Sequence, residues 1–194
     1  GVEIAKFLSE KGIKITSSET LLLKNSDKVQ FLDAFLKLLL QPDNDSLKID
    51  ILTFIANQHN IEDKHSFYSA HIAIGFDEML KKLEDLNIYL DKNKLLQVPL
   101  YDLVEELIRA FNLHNSSDAF VQFYLDVILE FTQKQNSDLS SFLNYFEKKK
   151  DSLSVISPKN NNAVQIMTIH KSKGLEFPVV IFPFIKCSIK FIST

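Results

Sequence analysis

Residues 164–182 read VQIMTIHKSKGLEFPVVIF. Two apolar runs, Val164–Thr168 and Val179–Phe182, flank a polar, basic crest of His170, Lys171, Ser172, Lys173 and Gly174. Each run reads as a buried strand, so the stretch reads strand, tight turn, strand. Ligands on open α/β sheets bind at the carboxyl ends of strands, and the crest falls at such an end. It offers the Thr168 hydroxyl, the His170 imidazole and the point charges of Lys171 and Lys173, with Glu176 as its one acid. Gly174 permits a close backbone approach or a positive φ.

Working back from this stretch, residues 151–162 have no helical period and read as a linker. Before them the pattern is helical almost throughout residues 46–150. Ile49, Leu52, Ile55 and Ala56 mark one helix, and Phe76, Met79, Leu80, Leu83 and Leu86 another. After Pro99, which suits a first helical turn, Leu100, Leu103, Val104, Leu107, Ile108 and Phe111 keep spacings of three and four. Asp118 is placed to cap a helix that is apolar nearly all round, as expected for the middle of a bundle, and Phe142, Leu143, Tyr145 and Phe146 complete the set. Residues 1–45 are mixed. A short helix over 2–10 stops at Lys11-Gly12, Ile13–Ile15 alternates like a strand, and Leu21–Leu23 is a brief apolar run. A helix capped by Ser26 or Asp27 then runs to about Leu40, before Pro42. The organisation is α/β, helical, then α/β again. An all-helical insertion interrupting one sheet-containing domain explains it economically, with units at 1–45, 46–150 and 151–194.

Hydrophobic residues make up 45% and charged residues 24% of the 194 residues, the balance of a soluble globular chain. No run is long and apolar enough to span a membrane, and no signal peptide is visible. The single cysteine, Cys187, cannot form an internal disulfide, so a cytoplasmic setting is the expectation. A net charge of −3 does not suggest a free-standing nucleic-acid binder, although a groove can be locally basic. Arg109 is the one arginine among 22 basic residues, which equips the chain poorly as a complete ATPase, since phosphate clamps favour the guanidinium fork. His59, His65 and His71 lack acidic or cysteine companions at ligand spacing, and no metal site is expected. Asp43-Asn44-Asp45 reads as a helix start rather than a calcium loop. Lys148–Lys150 reads as a solvated helix end.

Residues 168–180, TIHKSKGLEFPVV, resemble motif V of UvrD/Rep-type superfamily 1 DNA helicases, in the wider form that includes the RecB and AddA subunits. The resemblance implies a partial RecA-like domain 2A, of the P-loop NTPase type, interrupted by a 2B-like helical insertion. The fold class is then mixed α/β and mainly helical. It further implies Thr168 and His170 on single-stranded DNA, with Lys171 beside them, and Gly174 and Glu176 near the nucleotide. Lys173 can belong to either side and is counted with the nucleotide. Residues 12–23 and the helix after them are similar to the region just after motif IV in RecB/AddA-like members. The helical block matches 2B by position alone.

A phosphate loop, a magnesium-binding Asp-Glu pair, the motif IV arginine, motif VI and a nuclease-type carboxylate cluster are not found in the sequence. Residues 184–194 do not match the family's continuation. The resemblance therefore implies a fragment of an ATP-dependent DNA helicase of repair and recombination, using ATP and Mg2+ in the intact protein. Its partners would be single-stranded and duplex DNA and a second helicase–nuclease subunit. The fragment alone is expected to be inactive and to hold no cofactor. The alternative is a helical protein-interaction module without catalytic activity.

Overall fold

Ser26 begins the helix on which the rest of the molecule is built. In the computed structural model, which describes residues 4, 7, 8, 11–13, 15, 16, 22–113, 119–134, 138–155, 164–167 and 172–182, its hydroxyl accepts from Val29 N–H at 3.4 Å. The helix it caps, α1 (Asp27–Leu40), buries eight of its 14 residues. Seven further α-helices follow among the described residues: α2 (Asp45–Gln58), α3 (Lys64–Ile72), α4 (Phe76–Lys82), α5 (Lys92–Leu95), α6 (Leu100–Ala110), α7 (Ala119–Lys134) and α8 (Leu139–Lys149). Short 3-10 turns lie at Leu23–Asn25 and Leu83–Leu86. The molecule is mainly helical.

Helix α1 is central because it is apolar on more than one face. Phe31 and Phe35 meet Phe111 at 4.7 and 5.5 Å, Phe54 stacks on Phe31 at 4.4 Å, and Phe76 lies 6.0 Å from Phe35. Tyr124 of α7 packs edge-on against Phe142 and Phe146 of α8 in a second aromatic group. One continuous core joins the two groups, running from Leu23 to Phe146. At about 1.5–3 kcal/mol for each fully buried large apolar side chain, this core outweighs the weak intrinsic preference of a Phe- and Ile-rich chain for helix.

Side chains close the helix ends. Asn44, Asp63, Asp91 and Asp138 accept from the backbone N–H groups of Leu47, Ser66, Asn93 and Ser141 at the starts of α2, α3, α5 and α8. At three ends an asparagine takes the left-handed conformation that glycine usually supplies: Asn60, Asn87 and Asn112, with φ of 52°, 61° and 52°. In each, the following N–H reaches back to form a Schellman closure: Ile61 to Ala56, Ile88 to Leu83 and Leu113 to Ile108. Gly12 (φ 72°) does the same at the end of the first helical segment, with Ile13 N–H on the Leu8 carbonyl. The carbonyls beyond the last turns are held from a distance. Lys48, only 4% exposed, reaches the Ile72 and Ile74 carbonyls at 3.4 and 3.1 Å, and Lys82 reaches Ala70 at 2.9 Å. Lys28 and Gln58 tie down Leu113 and Phe111. Lysine donors at a helix C-terminus also meet its negative dipole end.

The chain enters and leaves the helical body at one place. Leu23 N–H donates to the Leu153 carbonyl at 2.9 Å, Leu22 and Ser154 form an antiparallel bridge, and Lys24 pairs with Asp151 at 2.6 Å. Beyond this neck, β1 (Ile15–Thr16) pairs in parallel with β2 (Val164–Gln165), Ile15 opposite Val164.

Several expectations are corrected. The strand near the N-terminus is Ile15–Thr16, and Ile13 is exposed outside it. The strand expected over Val164–Thr168 is regular only at Val164–Gln165, and both residues are exposed. Val179–Phe182 form no regular strand and stand 57–80% exposed. A parallel strand is buried only when neighbours cover it, and among the described residues no third strand does so. In α2 the buried face is Ile51, Leu52, Ile55 and Ala56, with Ile49 turned to solvent. Helix α7, read as apolar nearly all round, keeps an exposed strip through Gln122, Asp126, Leu129 and Gln133, and α1 takes the central place expected of α7. Helix α2 packs more extensively on α1 than any other helix pair does. Asp118 lies outside the described residues.

Candidate functional site

The parallel pairing of β1 and β2 sends the chain out of both strands toward the same end of the sheet, the carboxyl end at which open α/β sheets take ligands. The crest follows β2 in the sequence. Thr168, His170 and Lys171 lie outside the described residues. Lys173, Gly174 and Glu176 are described, and all three are exposed. Leu175 N–H donates to the Ser172 carbonyl at 3.1 Å, closing a four-residue turn with Gly174 at its third position and φ of 79°. A positive φ there is what a type II turn requires, and a side chain would be strained in it. The free space around Gly174 is open: an added Cβ would meet nothing within 4 Å. A ligand can therefore reach the backbone at Gly174 from outside, with the Lys173 ammonium and the Glu176 carboxylate beside it in sequence.

Ser172 was not among the expected site residues, yet its carbonyl closes the turn that sets Gly174. The neck was missed as well, because residues 151–155 read as linker. Its signal was the alternation of Leu153 and Val155, both of which pack against the core. Of the histidines, His59 and His65 are exposed, while His71 is buried, bonded through Nδ1 to the Phe67 carbonyl at 2.7 Å and packed on the Phe67 ring at 4.3 Å. No group of three His, Cys, Asp or Glu able to hold a metal occurs among the described residues. No described helix is long and apolar enough to cross a membrane.

Residues 3–187 match the model of the UvrD-like helicase C-terminal domain family. The chain belongs to that family. The matched range of this UvrD-like domain takes in the helical body and both strands. Among curated proteins, the domain is 32% identical over 115 residues to an ATP-dependent helicase/nuclease subunit of Acetivibrio thermocellus, covering 56% of this chain and 9% of that protein. It is 53% identical over 57 residues to the same-named subunit of Syntrophomonas wolfei, covering 27% of this chain and 5% of that protein. It is 30% identical over 188 residues to RecBCD enzyme subunit RecB of Buchnera aphidicola, covering 89% of this chain and 15% of that protein. The UvrD-like domain thus spans a small fraction of the length of the relatives it matches. No solved structure matches it.

Proposed function

We propose that this UvrD-like domain is the motif V-bearing part of the second motor domain of an ATP-dependent DNA helicase, within a helicase–nuclease subunit of DNA repair and recombination. The observation that carries the proposal is the family match over residues 3–187, with relatives named as ATP-dependent helicase/nuclease subunits and as RecB. The parallel pairing of Ile15–Thr16 with Val164–Gln165, across the whole helical body, supports a RecA-like domain 2A split by a helical insertion. The packing of α1 against α2, α7 and α8 supports counting α1 with that insertion, whose boundaries then lie at the neck, near residues 22 and 154.

In this reading Thr168, His170 and Lys171 contact single-stranded DNA, and Lys173, Gly174 and Glu176 face the nucleotide. The exposed turn fits that role. Gly174 leaves its backbone approachable, and Glu176 offers an exposed carboxylate as acceptor for a ribose hydroxyl. ATP with Mg2+ supplies the free energy of translocation when bound to the intact protein. Phosphate cradle and arginine finger come from outside this chain, so the 194-residue chain by itself is inactive. Duplex DNA, a cytoplasmic setting and a second helicase–nuclease subunit belong to the same reading.

The test is DNA-stimulated ATP hydrolysis by the parent protein. Thr168→Ala and His170→Ala should raise the oligonucleotide concentration needed for half-maximal stimulation, and Glu176→Ala should raise KM for ATP. Absence of stimulation in the parent, or variants that leave both concentrations unchanged, would overturn the proposal.

A further inference from the structure

A groove of about 520 Å³, open to solvent, lies where the turn Leu83–Leu86, α5 and α6 meet. Its apolar lining is Leu90, Leu95 and Val98, joined by Tyr89, which is 64% exposed. Its charge is one-sided. Glu84, Asp91, Asp102, Glu105 and Glu106 face it, against Lys94 and Arg109. These charges are not equally available. The Arg109 guanidinium is taken up by Glu106 at 3.2 Å, the Asp91 carboxylate caps α5 through the N–H groups of Asn93 and Lys94, and Asp102 sits in the first turn of α6, where the helix dipole offsets its charge. Glu84, Glu105 and Lys94 make no ion pair among the described residues, so the charge left for a ligand is two carboxylates against one ammonium. The negative field extends sideways: the Tyr101 phenol is pushed up by partial burial and by the charges of Glu105, Asp126 and Asp102.

An exposed aromatic beside apolar side chains, with five acidic groups against two basic ones around it, has the make-up of an interaction surface. Phosphate backbones are repelled by this rim, so it is not a nucleic-acid path. We propose that this groove docks a basic amphipathic segment of a partner protein, with lysine or arginine side chains against Glu84 and Glu105 and an apolar side chain on Leu90 and Val98 beside Tyr89. The docking is independent of motif V and of the helicase reading.

The test uses the 194-residue chain and a fluorescent Lys/Leu amphipathic peptide of about 18 residues, with a Glu/Leu peptide of the same pattern as comparison. The Lys/Leu peptide should bind saturably and more weakly as salt rises, and the Glu/Leu peptide should not bind. The double variant Glu84→Lys/Glu105→Lys should weaken binding by about tenfold or more, while Asp43→Lys/Glu62→Lys, with both changes on exposed residues elsewhere, should change it by less than about twofold. Tyr89→Ser provides a second variant that leaves the charge intact and should also weaken binding, with unchanged thermal unfolding as the check on folding. The proposal is overturned if the Lys/Leu peptide does not bind, if both charge reversals weaken it equally, if the Glu/Leu peptide binds as well, or if a single-stranded oligonucleotide competes for the groove.

Discussion

Replacing Tyr124 with phenylalanine should stabilise the helical body. The edge contacts of the ring with Phe142 and Phe146, at centroid distances of 5.9 and 5.1 Å, survive the change. What is lost is a fully buried hydroxyl that finds no hydrogen-bond partner among the described residues. An unpaired buried polar group costs about 1–3 kcal/mol, and the small void left by the oxygen offsets part of that gain. The net effect should be about 1 kcal/mol, a rise in Tm of about 2–4 °C for a chain of this size. Thermal and urea unfolding followed by circular dichroism measure it. A loss of about 1 kcal/mol or more would refute the reasoning, because it would mean that the hydroxyl donates a hydrogen bond in solution.

The companion measurement is its pH dependence, because Asp33 lies close enough for its charge, after burial, to push the Tyr124 phenol further up. Asp33 itself is raised above 3.8 by burial, against the hydrogen bond and charge of Lys37 at 2.7 Å. Burial acts to lower Lys37, but Asp33 and Glu147 outweigh it and hold the ammonium above its usual value. The two directions are compatible, because the Asp33 side chain, at 15% exposed against 31% for Lys37, is the more deeply desolvated. A carboxyl raised on folding keeps its proton to higher pH in the folded state. It contributes stability that is full below its unfolded value and is lost as pH rises through the folded one. Asp33→Asn should therefore gain stability relative to the parent as pH climbs from below 3.8 toward neutrality. Parallel stability curves for parent and variant would refute this.

Three other changes test the framework. Asn112→Gly should be neutral or stabilising and Asn112→Val should cost about 1–2 kcal/mol, because φ is positive there; equal effects in urea unfolding would count against the Schellman closure of α6. Lys48→Met keeps the buried stem but leaves the Ile72 and Ile74 carbonyls without their donor, so it should cost about 1–3 kcal/mol and speed amide exchange in residues 64–74 before that in α6. Phe35→Ala, between the rings of Phe76 and Phe111, should cost about 3–5 kcal/mol and lower the midpoint of one cooperative transition; a separate early transition would show that α1 is not part of the common core.

Helices with a clean apolar stripe were legible as sequence. Leu100 to Ala110 is the clearest case, because Leu103, Val104, Leu107 and Ile108 point one way and Asp102 and Arg109 the other. Where apolar residues surround a helix, composition alone does not choose the buried face. Ile49 and Leu129 end up in solvent because tertiary packing selects one side, and α1 displaces α7 from the centre for the same reason. The asparagine closures were invisible to a search for glycine stops, since Asn tolerates the left-handed region through its short polar side chain. At the site, the turn at Gly174 could be read from residue type, and the family resemblance on residues 168–180 agrees with the match over 3–187. The strands flanking the crest were over-read. Val179–Phe182 carry the composition of a covered strand, but a strand needs a partner to pair with and neighbours to cover its faces, and composition cannot supply them.

The pairing of Ile15 with Val164 has a consequence for the order of folding. The two residues are roughly 150 positions apart, and closing a flexible loop of that length costs about 4–5 kcal/mol of chain entropy. Two residue pairs of parallel strand, at about 0.5–1.5 kcal/mol net per hydrogen bond, cannot offset this. Once the helices have condensed and the neck at Leu23 and Leu153 has formed, the same two strands are held as close neighbours and the remaining loop is short. The strand pair that precedes the crest is then assembled last, on the completed helical body, and any lesion that loosens that body reaches the pair through the geometry of the chain alone.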